Sequence, residues 1–350
     1  LNAILNAKST SGIINPACLD SQSGTLGNAL HVASFKGHYQ VVNLLISKGA
    51  SVNAQGGQFG NALQAAAYGG HEKVVETLLQ NGAAVNAAGG GFGSALIASS
   101  SGGHETVVQM LLKEGADTNS SAQTYGNALQ QASLKGHDVI VNLLISKGAS
   151  VNAQGGQFGN ALQAAAYGGH EKVVKNLLQN GAAVNAAGGQ FRSALIASSL
   201  SGHETVVETL LKEGANVHTV RKYFGNALCA ASASGHQRVV AVLLAKGADV
   251  DGKPGARGTA LYAASKGGHQ KVVQMLLEKG ANVDSPSFLQ GNGTALHAAA
   301  QEGHGAIVTM LIAYGANIYA RGGFFGSPMR AALINGHKQV VQLLLAKERS

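Results

Sequence analysis

Residues 42–75 return letter for letter at 141–174, 99 positions later. Two looser versions of the same pattern lie between the copies, so the underlying period is 33 residues with a longer echo of three units. A Gly-His dipeptide marks the period. His38, His71, His104, His137, His170, His203, His236 and His269 follow each other at steps of 33, the step to His304 is 35, and the step to His337 is 33 again. A fixed period of this length dictates a repeat architecture and overrides any estimate of domain count from length.

Each unit reads as two helices and a turn. Asn61 is a good N-cap for a first helix of small residues, and Gly69-Gly70 stop it. A second helix starting near His71 places Val74, Val75, Leu78 and Leu79 on one stripe. Gly82 stands where a helix C-terminus accepts a left-handed residue. The glycine-rich remainder to the next cap reads as an extended, hairpin-like excursion. A unit of this size cannot bury its own stripe, so a continuous core forms only when neighbouring units stack.

These features resemble the ankyrin repeat. The 33-residue length, the Gly-His turn, the V-V-x-x-L-L second helix and the G-A-x-V-N exit all agree with that family. The family's T-P-L-H-x-A opening appears as TALHAAA at Thr294, TALYAAS at Thr259, GNALQAAA at Asn61 and Asn160, and SPMRAAL at Ser327. Proline survives at Pro328 alone; elsewhere alanine keeps the helix without the preset first turn. The form GNALQAA…GGHExVVxxLLxxGAxVNAxGG is also similar to ankyrin arrays at the C-termini of large fungal signalling ATPases of the immune-receptor type. The resemblance implies an all-α repeat solenoid of stacked helix pairs with hairpin-like loops. Ten repeats occupy 23–350, with two extra residues within 284–293, and residues 1–22 form an irregular cap or the remnant of a preceding repeat. The first residue is not methionine and the last helix runs to the end, which reads as a piece of something longer.

Thirteen histidines invite a metal or catalytic reading. Ten of them are the Gly-His marks, one per repeat, and stacked helix layers lie roughly 8–10 Å apart. Ligands of one zinc ion must all lie about 2 Å from it, so the row is structural. His31 and His297 hold the family's own histidine position, and His218 is isolated. The strings Gly56-Gly57-Gln58-Phe59-Gly60 and Gly89-Gly90-Gly91-Phe92-Gly93 faintly resemble phosphate loops, but no Gly-Lys-Ser/Thr follows them. Cys18 and Cys229 stand some six repeats apart and cannot pair, which fits a reducing compartment and a cytoplasmic location. No enzyme, cofactor or metal site is expected, and no segment has the length and apolarity of a membrane span.

An aromatic recurs at each hairpin as Phe59, Phe92, Tyr125, Phe158, Phe191, Phe224 and Phe325, with Arg257 and Asn292 interrupting the row. Such regularity points to packing of each tip against its neighbour more than to a ligand-facing ladder.

The two triplets of repeats are most informative where they disagree. Gly91/Gln190, Gly93/Arg192, Ser101/Leu200, Gly102/Ser201, Ala122/Arg221, Gln123/Lys222, Thr124/Tyr223, Leu134/Ala233 and Lys135/Ser234 cluster at hairpin tips and first-helix ends. In ankyrin-like proteins those places form the concave, partner-reading surface. Changes on the second helix, Glu76/Lys175 and Thr77/Asn176, are what drift at exposed positions produces. The later tips add charge of one sign to a chain of net charge +8. A basic edge attracts acidic partners and raises their on-rates. The expected function is therefore a non-enzymatic protein-interaction scaffold, the partner-recognition arm of a larger intracellular protein, monomeric as an isolated array. Its candidate contacts are Arg192, Leu200, Arg221, Lys222, Tyr223, Lys253, Arg257 and Lys266, facing an acidic or phosphorylated protein surface. Binding of nucleic acid or another polyanion through the basic tips, and service as an enzyme's substrate-docking arm, are the alternatives; no base-reading module is visible.

Overall fold

The computed structural model describes residues 19–22, 24–220, 225–252, 255, 258–287, 291 and 293–349. Among them the chain forms twenty α-helices in ten pairs, a single two-stranded ribbon and several isolated antiparallel bridges at hairpin tips. It is an all-α repeat solenoid, in two compact units. The first unit comprises 1–183 with 188–190, and the second 184–187 with 191–350.

In the first unit the first helices are α1 (Ala29–Phe35), α3 (Ala62–Gly69), α5 (Ala95–Gly102), α7 (Ala128–Lys135) and α9 (Ala161–Gly168). Their second-helix partners are α2 (Tyr39–Ser47), α4 (Glu72–Gln80), α6 (Glu105–Lys113), α8 (Asp138–Ser146) and α10 (Glu171–Gln179). The second unit repeats the plan from α11 (Ala194–Ser201) and α12 (Glu204–Lys212) to α19 (Pro328–Ile334) and α20 (Lys338–Glu348). Within each unit first helices stack on first helices, second on second, and each leans on its own partner.

Local chemistry sets these boundaries. The Asn61 side chain accepts the Gln64 amide at 2.8 Å, which fixes the start of α3. Ser94, Asn127 and Asn160 cap their helices the same way. The core follows the stripe: Val74, Val75 and Leu78 are buried, and so are Val107, Val108 and Leu111 one repeat on. Each such side chain contributes about 1.5–3 kcal/mol on burial. Alanines of the first helices, such as Ala65, Ala66 and Ala67, are buried too; their small size lets neighbouring layers close up.

The Gly-His dipeptide joins one repeat to the next. Gly70 ends α3 at φ +71°, and a Cβ there would lie 2.3 Å from His104 Nδ1. Gly37 likewise makes room for His71 in the first unit, and Gly235 for His269 in the second. The imidazole then donates its Nε2 proton to a first-helix carbonyl 36 residues back: His71 to Phe35 at 2.8 Å, His104 to Tyr68 at 2.9 Å, His236 to Leu200 at 3.0 Å. A carbonyl only accepts, so these rings carry the proton on Nε2. His304 reaches Lys266 at 3.2 Å, 38 residues back, so the two-residue insertion leaves the bond intact.

Two further inter-repeat links run along the hairpins. Asn53 donates to the Gly82 carbonyl at 2.9 Å and accepts the Ala84 amide at 2.8 Å. Asn86, Asn119, Asn152 and Asn185 repeat this pair of bonds toward Gly115, Gly148, Gly181 and Gly214. Asp20, 33 residues before Asn53, accepts the Ser51 amide at 3.1 Å in the same register. At the tips themselves, backbone binds backbone: Gln58 to Thr25 at 2.7 Å, Gly91 to Gln58 at 2.8 Å, Gln190 to Gln157 at 2.8 Å.

Candidate partner-binding surface

The surface in question is built from hairpin tips and the C-terminal ends of first helices, where the backbone is held by inter-repeat bonds while side chains such as Arg192 and Lys266 stay exposed. Of the residues singled out in the sequence, Arg192, Leu200 and Lys266 fall in the described part of the second unit. Arg221, Lys222, Tyr223, Lys253 and Arg257 lie outside the described residues, as do Phe224 and Asn292.

Arg192 is exposed at a tip and adopts φ +57°, alone among described non-glycine residues in having a positive φ. Its sister in the first unit is Gly93 at φ +80°. A side chain in that region costs about 1–2 kcal/mol relative to the right-handed backbone. Leu200 and Lys266 occupy one register position two repeats apart, at the ends of their first helices. Their carbonyls are taken by His236 and His304, while Leu200 is half-buried and Lys266 exposed. The backbone is thereby fixed and the side chain left to vary.

The tip aromatics are packing residues first. Phe59, Phe158 and Phe191 are buried. In the first unit the row is joined by rings from the helix ends, which the tip register alone does not reveal. Phe35 meets Phe59 at 4.8 Å between centroids, Phe59 meets Tyr68 at 5.5 Å, Tyr68 meets Phe92 at 4.9 Å, and Phe92 meets Tyr125 at 4.7 Å. Tyr68 and Tyr125 remain 37% exposed, so the ladder is both a packing device and a surface.

The glycine strings are explained without a ligand. Gly56 and Gly89 donate across their own hairpins to Gly60 and Gly93, and Gly91 donates to the neighbouring tip. A Cβ on Gly90 would lie 2.2 Å from the Phe59 carbonyl carbon, so Gly-Gly here serves close tip-to-tip approach.

Titratable groups follow burial. Desolvation lowers the pKa of His137 below its ordinary value, partly offset by the Ser101 carbonyl. It does the same to His31 and His297, at the family's histidine position. His31 completes a capping box: Nδ1 accepts the Asn28 amide at 3.2 Å, and Nε2 donates to the Ala54 carbonyl at 2.9 Å. Gln64 and Gln130 replace it elsewhere and donate to Ala87 and Ala153 at the equivalent places. Burial pushes the Cys229 thiol up to about 11, which leaves it a poor nucleophile. Cys18 lies outside the described residues. Among the described residues no three His, Cys, Asp or Glu side chains converge on a metal position, and no helix is long and apolar enough to cross a membrane.

Comparison with known proteins agrees with this geometry. A family model described as ankyrin repeats (3 copies) matches residues 88–155, 129–221, 162–254, 195–287, 228–322 and 285–350. A second, ankyrin repeats (many copies), matches 30–79 and 63–112. The crystal structure of the human ASB11 ankyrin repeat domain is similar, at 31% identity and a TM-score of 0.56, over 63% of this chain and 96% of that one. No curated protein matches at a significant level. With the matches spanning nearly every repeat, and the Gly-His and hairpin bonds recurring in register, the chain belongs to the ankyrin repeat family.

Proposed function

We propose that this chain is the partner-recognition arm of a larger intracellular protein, and that its second unit binds an acidic or phosphorylated protein surface. Ankyrin repeats generally mediate protein–protein interaction and are a non-catalytic module; the finer reading rests on where the two sister triplets differ. The observation that carries it is Arg192. A glycine serves at this tip position in the sister repeat, yet here a cationic side chain is kept in a left-handed conformation at a cost of about 1–2 kcal/mol. Strained backbone of this kind clusters at functional sites, which supports a role for this tip.

Arg221, Lys222, Lys253 and Arg257 extend the same charge along later tips, with Tyr223 beside them and Leu200 and Lys266 on helix ends. Arg and Tyr are the side chains that most often dominate interface energetics. Exposed charge pairs contribute about 0.2–1 kcal/mol each. The row therefore acts chiefly on association rate and salt sensitivity. The second-helix change Glu76/Lys175 has a local reason instead, since Lys175 pairs with Glu171 one turn away at 2.5 Å.

The test is partner capture from cell extract with the whole chain as bait, beside a variant carrying its sister's letters at one tip (Arg221→Ala, Lys222→Gln, Tyr223→Thr). The reading expects the same fold and a weaker, less salt-dependent capture. Unchanged capture removes the basic tips from the site.

A further inference from the structure

We infer that the last repeat ends in a face that takes a second copy of this chain, docked tail to tail about a two-fold axis. Four positions that tie a repeat to its successor carry other letters here. At the register of Leu333 every preceding repeat has alanine or serine, 0% exposed from Ser34 to Ala300, whereas Leu333 is 57% exposed. At the register of Arg330 every preceding repeat has His, Gln, Ile, Cys or Tyr, buried from His31 to His297. Gln64 and Gln130 in that register donate to the next hairpin's Ala87 and Ala153 carbonyls, whereas Arg330 is exposed. Glu348 stands where Gly82 and Gly315 turn the chain at φ +82° and +87°, and α20 runs on through it. Tyr319, 62% exposed, stands where Asn53 and Asn86 bond forward.

These letters bar another repeat from stacking here in the manner of the preceding ones, whether from this chain or head to tail from another copy. Leucine overfills a place that closes completely over alanine or serine, and a guanidinium covered by a hairpin needs a partner for its charge. Yet the face is not a polar cap. Tyr319, Met329, Leu344 and Leu345 line a groove of about 620 Å³, with Arg330 and Glu348 also in its wall. Large apolar side chains gathered beside charged ones mark an interaction site.

The charges choose the occupant. Arg330 and Glu348 are both exposed on this groove, and among the described residues neither has an ion-pair partner. A partner of one charge sign satisfies one of them and repels the other. A second copy turned about a two-fold axis brings its own Glu348 to Arg330 and its own Arg330 to Glu348, because every pairing in such a contact occurs twice. The same rotation lays Leu333 and Tyr319 of each copy on the apolar surface of the other.

The test is sedimentation velocity of the whole chain over a wide concentration range. A reversible monomer–dimer equilibrium with no larger species is expected, and amide exchange in α19 and α20, fast in the monomer, should slow as the dimer fills. Arg330→Glu and Glu348→Arg each set like charges face to face and should weaken the dimer at least about tenfold, with an unchanged circular dichroism melt. Leu333→Ala, the letter of Ala300, should weaken it as well. Mixed in equal amounts, the two charge variants should associate as the parent does, since each then meets its opposite in both contacts. A monomer at every concentration, growth beyond the dimer, or failure of the mixed variants to associate would each overturn the inference.

Discussion

Two glycines with nearly the same strain separate backbone preference from tip packing. Gly82 has φ +82° with nothing within 4 Å of an added Cβ, whereas Gly90 has φ +58° and an added Cβ would meet the Phe59 carbonyl at 2.2 Å and Gly60 N at 2.4 Å. Alanine at Gly82 costs the left-handed penalty alone, about 1–2 kcal/mol. Alanine at Gly90 costs that penalty and forces two backbones apart, which endangers the 2.8 Å bond from Gly91 to Gln58; that bond adds about 0.5–1.5 kcal/mol. The expected costs are thus about 1–2 kcal/mol for Gly82→Ala and about 1.5–3.5 kcal/mol for Gly90→Ala. Urea denaturation followed by circular dichroism reads both, and hydrogen exchange shows whether the Gly90 loss is confined to the tips of neighbouring repeats. Equal costs for the two substitutions would refute the claim that tip glycines exist for inter-repeat contact.

Further expectations concern the ladders. Asn86→Ala removes two bonds, to the Gly115 carbonyl and from the Asp117 amide, and should cost about 1–3 kcal/mol. Asn86→Asp keeps the acceptor and should cost about half as much, as the natural Asp251 and Asp284 at this register suggest. In acid, stability should fall. His31, His137 and His297 have folded pKa values below the ordinary 6.5, so the unfolded chain takes up protons first. The loss begins as pH drops through about 6.5 and is complete below the folded values. His31→Gln should reduce this loss while preserving the link to the Ala54 carbonyl, measured by urea midpoints at pH 5 and 8. Hydrogen exchange should be fastest in the last helix pair, where Leu333 and Ile334 are 57% and 60% exposed and coupling comes from one neighbour only. Uniform protection along the second unit would contradict that.

The fold was legible because every repeat is under the same constraint, and ten copies of one pattern leave little room for another architecture. Caps at Asn61 and Ser94, the stripe of Val74, Val75 and Leu78, and the glycine ends all follow from local rules. What joins repeats was visible as spacing but not as chemistry. The sequence shows Gly70 and His104 34 residues apart; only three dimensions show one lying against the other. The Asn53 and Asn86 bonds escaped for the same reason, since an exit asparagine looks like ordinary turn composition. The aromatic row was read along the tips, and there it is mainly packing, as at Phe59. Tyr68 comes from a different register, so its place in the ladder required the stacking of one repeat on the next. The division into two units has no counterpart in the repeat pattern, which runs unbroken through 184–191.

The claim that the second unit recognises an acidic partner is tested most directly through Arg192. With the captured partner in hand, association and dissociation rates of the whole chain and of Arg192→Gly should be measured from low to physiological salt. The glycine is the sister repeat's own letter, so the fold is preserved and the left-handed strain is relieved. The variant should be at least as stable as the parent, with a slower association rate and a shallower salt dependence. An unchanged association rate and salt slope would contradict it.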